Sequence, residues 1–161
     1  MSKIKELLRD QNTVLAFDMD GVLALMEFGE YNHFDMTEEA WQEASLTDEN
    51  FYTDDKVIKK MQDYLATRNM DNIYVISKRY TPNEEKSKVS FLVKNYKIKK
   101  ENIYFVEKNI EKIDVLKQIK ELHSEIEDYQ LGMVEDTVEV LDNVRDKTGF
   151  STIHISSFID L

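Results

Sequence analysis

The chain has 161 residues, 42% of them apolar and 33% charged, with a formal net charge of −11 and no cysteine. That length holds one domain with a real core and is short for two. The composition excludes disulfides and thiolate metal sites, offers no apolar run near the roughly 20 residues of a membrane helix, and opposes binding to a phosphate backbone, so neither a membrane nor a nucleic acid is expected as a partner.

In chain order, residues 3–10 read as a short leading helix. The opening "MSKIKELLRDQN" is amphipathic and charged and lacks an apolar signal-peptide core, so a cytoplasmic location is expected. "TVLAF" (13–17) reads as a buried strand that runs into Asp18, Asp20 and Gly21. Region 24–53 interrupts the pattern. It carries "MEFGEYNHF", a hairpin candidate turning at Gly29, a helix over 37–44, and a concentration of aromatics. It is long for a structureless connection, which marks it as a functional insertion. Helical spacing continues over 54–69, followed by a strand at 72–77. Pro82 suits the start of a helix over 83–96. "KNYKIKK" (94–100) reads as the end of that helix and a solvated loop, where lysines suit the dipole. A strand at 102–107, a helix at 113–126, a strand at 130–135, a helix at 137–148 with Gly149 as its cap, and a strand at 151–155 complete the chain. Strands alternating with helices imply a parallel sheet.

Ligands of open parallel sheets bind beyond the C-terminal strand ends. The residues there are Asp18 and Asp20 after the first strand, Ser77, Lys78 and Arg79 after the second, Lys108 and Lys112 after the third, and Glu135 and Asp136 after the fourth. This set suits phosphoryl transfer assisted by Mg²⁺. Asp18, a backbone carbonyl and Asp136 offer hard oxygen ligands, with Glu135 either a direct ligand or a support, and a bound cation offsets repulsion among the carboxylates. A carboxylate can attack phosphorus, a hydroxyl and an ammonium can hold the phosphoryl oxygens, and a second carboxylate can move the leaving group's proton.

Four stretches carry a resemblance. "FDMDGVL" resembles the first motif of the haloacid dehalogenase superfamily phosphatases, "YVIS" ending at Ser77 the second, Lys112 at the head of "KIDVLKQI" the third, and "MVEDT" with Glu135 and Asp136 the acidic fourth. They stand in the family's order over roughly residues 13–155. The resemblance implies that Asp18 is nucleophile and metal ligand. It implies that Asp20 is general acid/base and a metal ligand through its carbonyl. It further implies that Ser77, Lys78 and Lys112 bind phosphate, with Lys108 an alternative to Lys112, and that Glu135 and Asp136 complete a Mg²⁺ site. An aspartate at position 20 fits the phosphatase branch. The implied fold is α/β, a three-layer Rossmann-like arrangement with a five-stranded parallel sheet in order 5-4-1-2-3. The whole chain forms one hydrolase domain, with a small cap at about 24–53.

The substrate implied is a small phosphomonoester. "DMDGVLA", "SKRYTP" and "ED" resemble the 5′(3′)-deoxyribonucleotidase-like branch, in which cap aromatics stack a nucleobase. Phe28, Tyr31, Phe34 and Trp41 are the candidates here, and packing beneath the cap is their alternative role. A sugar phosphate, a bulky or phosphoprotein substrate, and a non-catalytic binding module on the same fold are the competing readings.

Overall fold

The computed structural model describes residues 3–25, 36–53, 55–159 and 161. Helix α1 (Lys3–Arg9) leads into β1 (Val14–Phe17). Strands β2 (Ala24–Leu25) and β3 (Lys56–Val57) flank the insertion, which contains α2 (Glu38–Thr47). There follow α3 (Lys59–Leu65), β4 (Ile73–Lys78), α4 (Pro82–Tyr96), β5 (Ile103–Val106), α5 (Lys112–Leu122), β6 (Leu131–Glu135), α6 (Val138–Lys147) and β7 (Ser151–His154).

Five strands form a parallel sheet in the order β5-β4-β1-β6-β7. The expected order, 5-4-1-2-3, counted five strands only. The insertion adds β2 and β3 as a separate antiparallel pair, so the numbers across the sheet differ. Strand β1 is buried along its whole length because it has neighbours on both edges and helices on both faces. Leu15, Phe17, Ile73 and Val75 point to one face and pack with Leu8, Met61 and Phe91 from α1, α3 and α4. Val14, Ala16, Tyr74 and Ile76 point to the other and pack with Ile113, Leu116 and Val144 from α5 and α6. The period-two alternation of the strands thus divides the core into two layers.

Several boundaries move. The helix expected over 54–69 covers only α3. Lys56 and Val57 are extended because they pair with Leu25 and Ala24, and cross-strand pairing overrides the helical spacing. The helix expected to reach residue 126 ends at Leu122. His123 leaves helical geometry, and its Nε2 lies 2.8 Å from the Tyr74 hydroxyl. Gly149 is not a left-handed cap: Thr148 closes α6 in extended backbone. The glycine instead lets the chain pass Asp128, whose Oδ2 would lie 3.2 Å from a Cβ. The left-handed cap falls on Lys97 after α4 (φ 59°). Pro82 starts α4 as expected, with Thr81 accepting from the Glu84 amide. The hairpin at Gly29 lies outside the described residues.

The insertion's helix docks on the N-terminal end of α4. The Thr81 hydroxyl donates to the Ser45 carbonyl at 3.1 Å, and the Asn83 side chain donates to the Leu46 carbonyl at 2.8 Å. Among the described residues no helix is long and apolar enough to cross a membrane.

Candidate functional site

The sheet's connections run from β1 outward to β4 and β5 on one side and to β6 and β7 on the other, so β1 sits where the topology switches. Parallel register brings the C-terminal ends of β1, β4 and β6 side by side: Phe17 lies level with Val75 and Val134, and the Asp18 amide donates to the Val134 carbonyl at 2.9 Å. Beyond Phe17 the chain turns tightly. The Met19 carbonyl accepts from the amides of Leu23 and Ala24, and the buried Met19 side chain anchors the turn from below. Asp18 and Asp20 therefore face the open edge. Gly21 has φ +77°, and a Cβ there would lie 2.2 Å from Asp136 Oδ2. Only glycine admits that backbone and that closeness together.

One carboxylate oxygen from each of Asp18, Glu135 and Asp136 falls within 4.8 Å of the others. Lys112, 2% exposed at the first position of α5, donates to Asp18 Oδ1 at 2.9 Å and to Glu135 Oε2 at 2.8 Å. The other Glu135 oxygen accepts from the amides of Asp136 and Thr137 at 3.1 and 3.3 Å. Glu135 is thereby fixed as the support of Lys112, and both of its oxygens are engaged. A second buried ammonium, Lys88 of α4, pairs with Asp20 Oδ2 at 2.8 Å and Glu84 Oε1 at 3.0 Å. The Tyr52 hydroxyl donates to Asp20 Oδ1 at 2.7 Å.

Burial raises the carboxyl pKa of Asp18, and Lys112 only partly opposes this; Asp20 adds repulsion. Burial also raises Glu135, to about 8, with Asp18 adding to it and Lys112 opposing. For Lys112 burial works against the charge, but Asp18 and Glu135 outweigh it and hold the ammonium above its ordinary value. Asp18, Asp20, Glu84, Glu135 and Asp136 thus share one corner with two buried ammonium groups, leaving an excess of negative charge. That donor set, hard oxygens with unmatched charge, fits a divalent cation of the Mg²⁺ kind.

A cavity of about 380 Å³ opens over this corner, with Asp18, Asp20, Lys112, Glu135 and Asp136 at its floor. Lys78, Tyr80, Asn109 and Thr137 form its walls, and Met36, Thr37, Glu38 and Trp41 reach it from the insertion. A larger cavity of about 630 Å³ between α1 and β7 holds none of the residues nominated from the sequence.

Of the residues nominated from the sequence, Asp18, Asp20, Lys78, Lys112, Glu135 and Asp136 line this one cavity. Ser77 is fully buried and outside the cavity wall; its hydroxyl accepts from Lys88 Nζ at 3.0 Å. Lys112, not the exposed Lys108, reaches Asp18. Trp41 touches the cavity but is 4% exposed and meets Phe51 edge-to-face at 4.5 Å, so its ring is engaged in packing. Phe28, Tyr31 and Phe34 lie outside the described residues. Sequence reading missed Lys88, Glu84 and Tyr52. A signal for two of them was present: Glu84 and Lys88 stand four residues apart on the stripe that continues through Phe91 and Leu92, where apolar residues belong. No family model matches the chain, and no curated protein matches it.

Proposed function

We propose that this chain is a Mg²⁺-dependent phosphomonoesterase of the haloacid dehalogenase type. In this reading one hydrolase domain on a three-layer Rossmann-like fold carries the small cap at 24–53 and works through an aspartyl-phosphate. The observation that carries the reading is the convergence of Asp18, Glu135 and Asp136 around the buried Lys112 at the sheet's switch point. Asp18, the carbonyl of Asp20 and Asp136 would hold Mg²⁺, which when bound neutralises phosphoryl oxygens; Glu135 supports them through Lys112 and the Asp136 amide.

An Asp18 oxygen attacks phosphorus as the bond to the leaving oxygen breaks, and that oxygen takes a proton from Asp20. Water then gives a proton to Asp20 and attacks the phosphoryl group, releasing phosphate and freeing Asp18. Lys112 and Lys78 hold the phosphoryl oxygens, while Ser77, buried beneath the cavity, accepts from Lys88. The setting is cytoplasmic, in keeping with a chain without cysteine.

For the leaving group, a nucleotide is the first reading and a sugar phosphate or similar small phosphomonoester the alternative; Trp41, the one described member of the stacking set, packs edge-to-face on Phe51 beside the cavity. The test is turnover by the purified chain, with Mg²⁺ and with chelator, on nucleoside monophosphates, sugar phosphates, a phosphopeptide and p-nitrophenyl phosphate. Mg²⁺-dependent phosphate release from small monoesters supports the reading. Inertness towards the whole panel overturns it in favour of a binding module.

A further inference from the structure

Lys88 is fully buried, and its ammonium meets four acceptors: the Lys78 carbonyl at 2.6 Å, Asp20 Oδ2 at 2.8 Å, Ser77 Oγ at 3.0 Å and Glu84 Oε1 at 3.0 Å. For charge balance Glu84 suffices. It is equally buried, lies one helical turn away, and is itself fixed by the Tyr80 amide at 2.7 Å. The reach to Asp20 instead joins α4 to the turn after β1. The other Asp20 oxygen is held by Tyr52, whose amide donates to Ser87 Oγ at 2.8 Å, so that arm too is anchored on α4. Two donors on two oxygens fix the plane of the carboxylate.

We propose that Lys88 is a positioning residue, seconded by Tyr52, that holds Asp20 as an aimed carboxylate for the step in which it takes a proton from the water attacking the phosphoryl group on Asp18. This rests on the phosphatase reading above. The proton passes from water to Asp20, the new bond joins water oxygen to phosphorus, and the bond from phosphorus to Asp18 breaks. A loosened Asp20 slows this second half-reaction, and phosphoryl-enzyme accumulates.

The experiment uses p-nitrophenyl phosphate, whose leaving group departs without a proton. The variants are Lys88→Met combined with Glu84→Gln, which avoids an orphaned buried charge, together with Tyr52→Phe and Asp20→Asn. The readouts are kcat, KM and the share of chain carrying a hydroxylamine-sensitive phosphoryl group at steady state. The double variant is expected to lose about tenfold in kcat, with a parallel fall in KM and a several-fold rise in phosphoryl occupancy; Tyr52→Phe moves the same way by less. A fall in kcat with KM and occupancy unchanged makes Lys88 merely structural and overturns the inference. Should the double variant fail to fold, Tyr52→Phe decides: raised occupancy supports the inference, and unchanged kcat and occupancy overturn it. Asp20→Asn separates the two levels. If it accumulates phosphoryl-enzyme and the Lys88 variant does not, the inference alone falls. If it does not accumulate while wild type turns over, the assignment of Asp20 falls.

Discussion

Gly21 holds a left-handed backbone directly against Asp136, so a methyl group there meets both a conformational and a steric obstacle. Gly21→Ala is expected to displace Asp136, to cost about 1–2 kcal/mol by urea unfolding, and to weaken Mg²⁺ activation at least about tenfold; unchanged Mg²⁺ titration would remove Asp136 from the metal site. Asp18 and Asp20 separate by chemistry. Asp18→Asn should abolish turnover and aspartyl-phosphate formation together. Asp20→Asn should slow alkyl phosphates more than aryl phosphates in kcat/KM, because alkoxides need the proton; equal losses refute the acid role. Tyr64 carries a pH prediction away from the site. Burial raises its phenol to about 12, although Arg68 works the other way, and the hydroxyl donates to the Leu8 carbonyl at 2.7 Å. The folded chain keeps this proton while the unfolded chain loses it from its ordinary value of 10.0, so the stabilisation is complete below pH 10.0 and fades as pH rises towards 12. Between those limits wild type should lose on the order of 2 kcal/mol more than Tyr64→Phe in denaturant titrations. Parallel curves would refute the shift.

At the scale of elements, the insertion joins the core through α4 rather than through its own two-residue strands. Thr81 and Asn83 grip the end of α2, and Trp41, Phe51 and Tyr52 form an edge-to-face cluster beside them. Trp41→Ala leaves a void that the cluster cannot fill, at a cost of about 3–5 kcal/mol. Because Trp41 stands between packing and cavity, the expected signature is a lower melting temperature with activity reduced alike on all substrates. Trp41→Phe should recover most of both. A selective loss on nucleotides with stability intact would restore the stacking role. The same docking explains how Tyr52, last of the cluster, arrives at Asp20: the insertion closes back onto α4, which carries Lys88 to the other carboxylate oxygen.

On the scale of the whole molecule, the fold of this acidic chain brings five carboxylates to one corner, and burial there raises the pKa of Asp18 and Glu135. Mg²⁺ is therefore expected to raise the melting temperature, by an amount that grows with concentration, and chelator should abolish both the rise and turnover. Asp136→Asn should flatten that dependence while leaving the fold intact, since Asp136 is exposed and lies outside both halves of the core. A thermal shift undiminished in Asp136→Asn would place the cation elsewhere.

By itself the sequence determined the parallel α/β alternation, because buried strands such as Val14–Phe17 and amphipathic helices such as α5 and α6 are encoded within ten or fifteen residues. It also determined most of the polar corner: in a parallel sheet every strand points the same way, so residues that follow strands must share an edge. Short-range pattern did not determine where weak elements stop. Lys56–Val57 became a strand because Ala24–Leu25 was available to pair, a contact across more than thirty residues. Short-range pattern favoured Lys112 over Lys108 as the residue that begins a helix, but the contact itself came only when α5 placed one ammonium between Asp18 and Glu135. Lys88 and Tyr52 are the fullest case. Their partner Asp20 lies 68 and 32 residues away, and no local rule reaches that far; only the packing of α4 and the insertion against β1 brought both donors to one carboxylate.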